Sequence, residues 1–129
     1  MDSTSLLAIR PILALPTENL HPLQVFQNTA LRPIMKMLQS KIYYYATIEI
    51  SKLKNIRQLD ERRSYVTQFF NKNPQKTRFL QGMVCGFFTE EEYSYYVSYE
   101  ADINKRIKHL LIERIATAGP VEDSRPQYL

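Results

Sequence analysis

Between Pro22 and Leu53 apolar side chains return once per helical turn: Leu23, Phe26, Ala30, Ile34, Leu38, Ile42, Tyr45 and Ile48. A period near 3.6 places them on one face of a helix. Pro33 interrupts the run. It removes one backbone donor and crowds the preceding turn, so a kink or break is expected near Ala30. Tyr43, Tyr44, Tyr45 and the stretch from Thr47 to Ile50 favour strand locally, but the helical period continues through them and outweighs that preference. Three glycines against seven prolines and fifteen aromatic residues argue against a turn-rich β-sandwich and against a glycine-rich phosphate loop. A length of 129 residues is that of one domain.

The rest of the chain reads in the same way. Residues 1–21 form an arm, apolar at Leu6, Leu7, Ile9, Ile12, Leu13 and Leu15 but limited by Pro11 and Pro16. Residues 22–118 form the helical bundle domain, and residues 119–129 a flexible tail. Asp60 suits an N-cap for a helix ending near Asn71, with Tyr65, Val66, Phe69 and Phe70 inward. Asn73-Pro74 opens the next, carrying Phe79, Leu80, Met83, Val84, Phe87 and Phe88. Thr89 and Glu92 match a capping box. The helix they begin runs to Ile115, with a weak point at residues 98–102 where the apolar stripe thins, and Gly119-Pro120 stops it. The expected fold is all-α, a bundle of four to five helices.

Charge is unevenly placed. The chain carries +4 in total, yet residues 52–78 hold eight bases against two acids, and residues 90–102 hold five acids and no base. Such a dipolar chain can grip an anion, a polyanion or its own copy, or its two halves can simply compensate each other. Lys52, Lys54, Arg57, Arg62 and Arg63 are the candidate polyanion patch. No apolar stretch approaches membrane-spanning length, and the N-terminus lacks a basic leader region. No membrane role and a cytoplasmic location are expected.

Catalytic patterns are hard to find. His21 and His109 lie far apart and neither has the second histidine one turn away that a zinc site needs. Cys85, flanked by Val84 and Gly86, reads as a buried, inert thiol. No catalytic residue, metal ligand or cofactor is expected. Polar residues on or beside the apolar stripes pair internally or line a cleft. Asn28, Arg32, Glu92 and Arg106 are the candidates for the cleft, with Arg32 and Arg106 as holders of a small anion. Gly82 and Gly86, one turn apart, each cost about 1 kcal/mol of helix stability, which implies close approach of another backbone, within the chain or from a second subunit. Seven of the nine tyrosines fall in two patches. Tyr43, Tyr44, Tyr95 and Tyr99, with the two glycines, are the candidate interface.

The residues Phe26-Gln27-Asn28, Leu31-Arg32-Pro33-Ile34, Lys36, Gly82, Gly86, Phe88-Thr89, Glu92, Tyr96, Asn104-Lys105-Arg106-Ile107 and Glu113-Arg114 resemble a small all-helical bacterial family of unknown function. The resemblance spans most of residues 20–115 and implies an all-helical fold with no catalytic residues to carry over. The reading from the sequence is a non-enzymatic interaction or assembly module, self-associating as a homodimer or binding an unknown protein partner. The alternative is nucleic-acid or polyanion binding through residues 52–78.

Overall fold

The computed structural model describes residues 2–119, in which every regular element is helical. In chain order these are α1 (Ser3–Ile9), α2 (Pro22–Phe26), α3 (Arg32–Met37), α4 (Gln39–Glu49), α5 (Leu59–Lys72), α6 (Pro74–Cys85), α7 (Glu90–Ser98) and α8 (Glu100–Thr117). A π turn (Gln27–Leu31) joins α2 to α3, and a 3₁₀ turn (Leu53–Asn55) follows α4. The all-α class stands, whereas the count of four to five helices does not. The expected flexible tail, apart from Gly119, lies outside the described residues.

The long helices are jointed, and each joint has a cause. Pro33 does not break its helix. Instead the preceding turn widens, and the Arg32 N–H reaches back five residues to the Gln27 carbonyl. Leu38 (φ −93°, ψ 3°) separates α3 from α4, and Tyr99 (φ −131°, ψ 34°) separates α7 from α8. The second joint falls within the weak point anticipated at residues 98–102. No strand forms at residues 47–50, because Ala46 and Ile50 continue the buried face of α4. Asn73 ends α5 and begins α6, while Asp60 sits in the first turn of α5 rather than capping it.

Helix α8 is the centre of the bundle and touches α4, α5, α6 and α7. Its Ile103, Ile107, Leu111 and Ile115 are fully buried, four apart along one stripe. Around them close Ile34 and Met35 of α3, Ile42 of α4, Val66 and Phe70 of α5, and Leu80 and Val84 of α6. Two aromatic residues expected to face inward do not: Tyr65 sits at the edge, and Phe79 is more than half exposed.

One core side chain is a cation. Arg62 is completely buried between Leu59 and Val66 on the inner face of α5. Its Nε donates to the Ala116 carbonyl at 2.7 Å. One terminal nitrogen serves Leu53 at 2.7 Å and Ile56 at 2.8 Å. The other serves Ala118 at 2.7 Å and, more weakly, Ile115 at 3.4 Å. All five guanidinium donors thus end on backbone carbonyls. Three of these belong to the end of α8, where a helix leaves its last acceptors unpaired and carries partial negative charge. Gln39 of α4 adds a longer bond, 3.5 Å, to the Arg114 carbonyl one residue earlier. The end of α8 is therefore closed by side chains from α5 and α4, and Gly119, with φ 77°, turns the chain away just beyond the last helical residues.

Gly82 is exposed, and a Cβ there would meet nothing within 4 Å. At Gly86 a Cβ would make only ordinary contact with the Gly82 and Met83 carbonyls. Among the described residues the expected close backbone approach is therefore absent at both positions.

Two stability outcomes follow. Arg62→Met strands carbonyls that cost about 1–3 kcal/mol each when buried unpaired, so cooperative urea unfolding should be lost. Arg62→Lys, with three donors and no planar fork, should fold but lose at least about 2 kcal/mol. A methionine variant within about 0.5 kcal/mol of wild type would contradict this. Conversely, Gly82→Ala should stabilise the chain by up to about 1 kcal/mol in the same assay.

Candidate functional site

The polar residues on the apolar stripes divide into two groups, and a residue the sequence reading passed over organises the first. Arg10 stands alone between Ile9 and Pro11 in the arm. Its guanidinium clasps Glu92 through two bonds of 2.7 and 2.8 Å. It also donates to the Phe87 carbonyl at 3.1 Å and the Thr29 carbonyl at 3.3 Å. Thr29 is four residues before Pro33, so its carbonyl is the one that proline's missing N–H leaves without an α-helical partner. Arg10 supplies the donor from the arm.

Glu92 has a second task. Its Oε1 accepts from the Thr89 N–H at 2.9 Å while the Thr89 hydroxyl accepts from the Glu92 N–H at 3.1 Å, completing the anticipated capping box. Burial works against the charged carboxylate, but the Arg10 and Thr89 bonds outweigh it, and Glu92 titrates below the usual carboxylate range. The Arg10 side chain is nearly inaccessible, and its Nε is the one described buried side-chain nitrogen or oxygen without a partner.

Asn28 and Arg106 meet through Gln24. The Gln24 amide donates to Asn28 Oδ1 at 3.2 Å, and Asn28 donates to the Pro16 carbonyl at 2.9 Å. Arg106 donates to Gln24 Oε1 at 3.2 Å and Gln27 Oε1 at 2.9 Å. Together with Arg10 and Glu92 this is a seam holding the arm onto α2, the π turn and α7. Arg32 lies outside it. Its backbone carbonyl accepts from Arg114 at 3.3 Å, and Arg114 also bonds Gln39 Oε1 at 3.1 Å. Burial, then the nearby Arg32 charge, hold the Arg114 guanidinium below its ordinary value. Arg32 and Arg106 therefore do not converge on one anion.

The aromatic residues form a continuous run. Ring centres are separated by 4.8 Å for Tyr99 and Tyr95, 5.1 Å for Tyr95 and Phe26, 5.6 Å for Phe88 and Tyr96, and 6.0 Å for Tyr96 and Tyr93, all tilted pairs, while Phe26 meets Phe88 edge-on at 5.4 Å. Tyr93, Val97 and Tyr99 remain substantially exposed on α7 and at its end. The Tyr96 hydroxyl donates to Asn104 Oδ1 at 2.8 Å. Burial, reinforced by Cys85, pushes its phenol up to about 12. Burial likewise pushes the Cys85 thiol up, away from the reactive thiolate. Of the other interface candidates, Tyr44 is exposed, while Tyr43 packs its hydroxyl against Gly119.

The basic patch is smaller than its sequence suggests. Lys52, Lys54 and Arg57 are exposed. Arg62 must be withdrawn, since its charge is buried among carbonyls. Arg63 is engaged by Glu113 at 2.7 Å and Asp60 at 3.2 Å. Among the described residues no three His, Cys, Asp or Glu side chains gather to hold a metal ion, and no helix is long and apolar enough to cross a membrane. No family model, curated protein or solved structure matches the chain.

Glu92→Gln leaves the Arg10 charge largely buried without its counter-charge, a change that costs about 3–5 kcal/mol in buried pairs. Because the folded Glu92 titrates below its unfolded value, near 4.3, its contribution is complete above that pH and fades as pH falls through the folded value. Urea unfolding should therefore show a gap between wild type and Glu92→Gln that is widest near neutrality and closes in acid. A gap independent of pH would contradict the ion pair.

Proposed function

We propose that the chain is a non-enzymatic assembly module that associates with a second copy of itself through the arm and the neighbouring face of α7. The observation that carries this reading is Ile12, 99% exposed two residues beyond the buried Arg10 anchor. Leu7 and Ile9, on the other side of that anchor, are about half exposed. An arm that was merely packing surplus would bury such residues or leave them on a loose end. Here Arg10 fixes the backbone beside them, so that apolar side chains are held outward at low entropic cost. Fixing a contact before it forms is a general route to affinity.

The second support is the company the arm keeps. Arg10 is bonded to the first turn of α7, the helix that carries exposed Tyr93 and Val97. Aromatic rings already braced by neighbours lose little freedom on burial, and tyrosine is enriched where protein surfaces meet. The polyanion reading retains three of its five residues, Lys52, Lys54 and Arg57, and is the weaker of the two.

Sedimentation velocity over the micromolar range tests the proposal. The full chain should dimerise at tens of micromolar, and Ile12→Asp should weaken the dimer at least tenfold without changing the circular dichroism spectrum. Arg10→Gln, which loosens the anchor while leaving Ile12 in place, should weaken it too. A chain that stays monomeric throughout that range, or a dimer indifferent to Ile12→Asp, would overturn the reading.

A further inference from the structure

On the side of α4 that faces away from the core, where α8 ends, lies a cleft of about 700 Å³. Met37, Tyr43, Tyr44 and Thr47 line it, together with Gln39 and Ser40. Lys36 and Lys54 stand on its wall from opposite directions in the chain, one in α3 and one in the 3₁₀ turn. The volume falls in the range of sites for small molecules, and the mixture of apolar lining with a few charged groups is typical of them.

The charge in this region is one-sided. Among the described residues no carboxylate lines the cleft, and no acid forms an ion pair with Lys36 or Lys54. Glu49, two residues beyond Thr47, is paired with Lys76, and Glu113, next to Arg114, with Arg63. Behind the wall the Gln39 amide is bonded to Arg114, whose neighbour in turn is Arg32. Two cations thus stand on the cleft wall and a third, Arg114, is bonded to its lining residue Gln39, with no described counter-charge. Low-dielectric walls of one sign concentrate such a field on an anion.

We propose that this cleft binds a small aromatic anion, with the ring against Tyr43, Tyr44 and Met37 and the acidic group between Lys36 and Lys54. Both halves of the ligand follow from the lining. Tyrosine rings and a methionine thioether favour a flat, polarisable body. Two lysines with no partner among the described residues favour a carboxylate, sulfonate or phosphate. The site is separate from the arm and α7, and each can fail while the other holds.

Two probes that differ only in charge make the test. These are 1-anilinonaphthalene-8-sulfonate and its neutral parent N-phenyl-1-naphthylamine, titrated into the full chain by fluorescence and calorimetry. The sulfonate should bind one to one and at least tenfold more tightly than the neutral parent, and added salt should narrow the difference. Lys36→Gln with Lys54→Gln should remove most of that preference while leaving the neutral probe unchanged. Ser40→Trp, which fills the cleft, should abolish the one-to-one binding of both in a chain whose helical spectrum is intact. Equal affinity for the two probes, or a preference that survives the double lysine variant, would overturn the proposal. So would a large gain in sulfonate affinity in Glu122→Gln/Asp123→Asn, because the cleft would then belong to the chain's own acidic segment.

Discussion

The structure depends on a cation placed where a helix runs out of donors. The end of α8 presents carbonyls that no further turn can satisfy, and burial denies them water. Arg62 reaches them from α5 and at the same time takes the carbonyls of Leu53 and Ile56 beside the 3₁₀ turn. One planar guanidinium therefore joins α5 and the 3₁₀ turn just before it to the end of α8, 54 to 56 residues further along the chain. Its own burial is tolerable because the charge faces the negative end of a helix and every donor is used. No hydrophobic side chain could replace it without leaving those acceptors bare.

A second guanidinium uses the same device at a smaller scale. Pro33 removes a donor and leaves a carbonyl, the π turn accommodates the distortion, and Arg10 arrives from the arm to bond what is left. Because the same guanidinium holds Glu92, the capping box of α7 and the docking of the arm are one structure rather than two. A loss at either end is felt at the other. This coupling is what gives the arm a defined path and leaves Ile12 in solvent.

Much of this could be read from spacing. The period of the apolar residues marks the helical class, and Thr89 with Glu92 marks the start of α7. The thinning stripe near Ser98 points to the joint at Tyr99. Arg62 was also legible in principle, since it shares one face with Leu59, Val66 and Phe70 at spacings of three and four. In the sequence the same residue also belongs to the basic run of residues 52–78, and charge alone does not separate a buried guanidinium from a solvated one. The partners of Arg10 and Glu92 were not legible, because eighty-two residues separate them and nothing local records the contact. The glycines misled for a related reason: a missing side chain signals close packing only if another backbone is there, and at Gly82 none within the described chain is.

The buried guanidinium can be observed directly. In a ¹⁵N-labelled sample, the Nε–H of Arg62 should give a distinct resonance with cross-peaks to residues 115–118. Its hydrogen exchange should be as slow as that of the most protected amides of α8, opening only with global unfolding. Exchange as fast as that of exposed Arg57, or cross-peaks to no residue of α8, would mean that the helix end is held by something else.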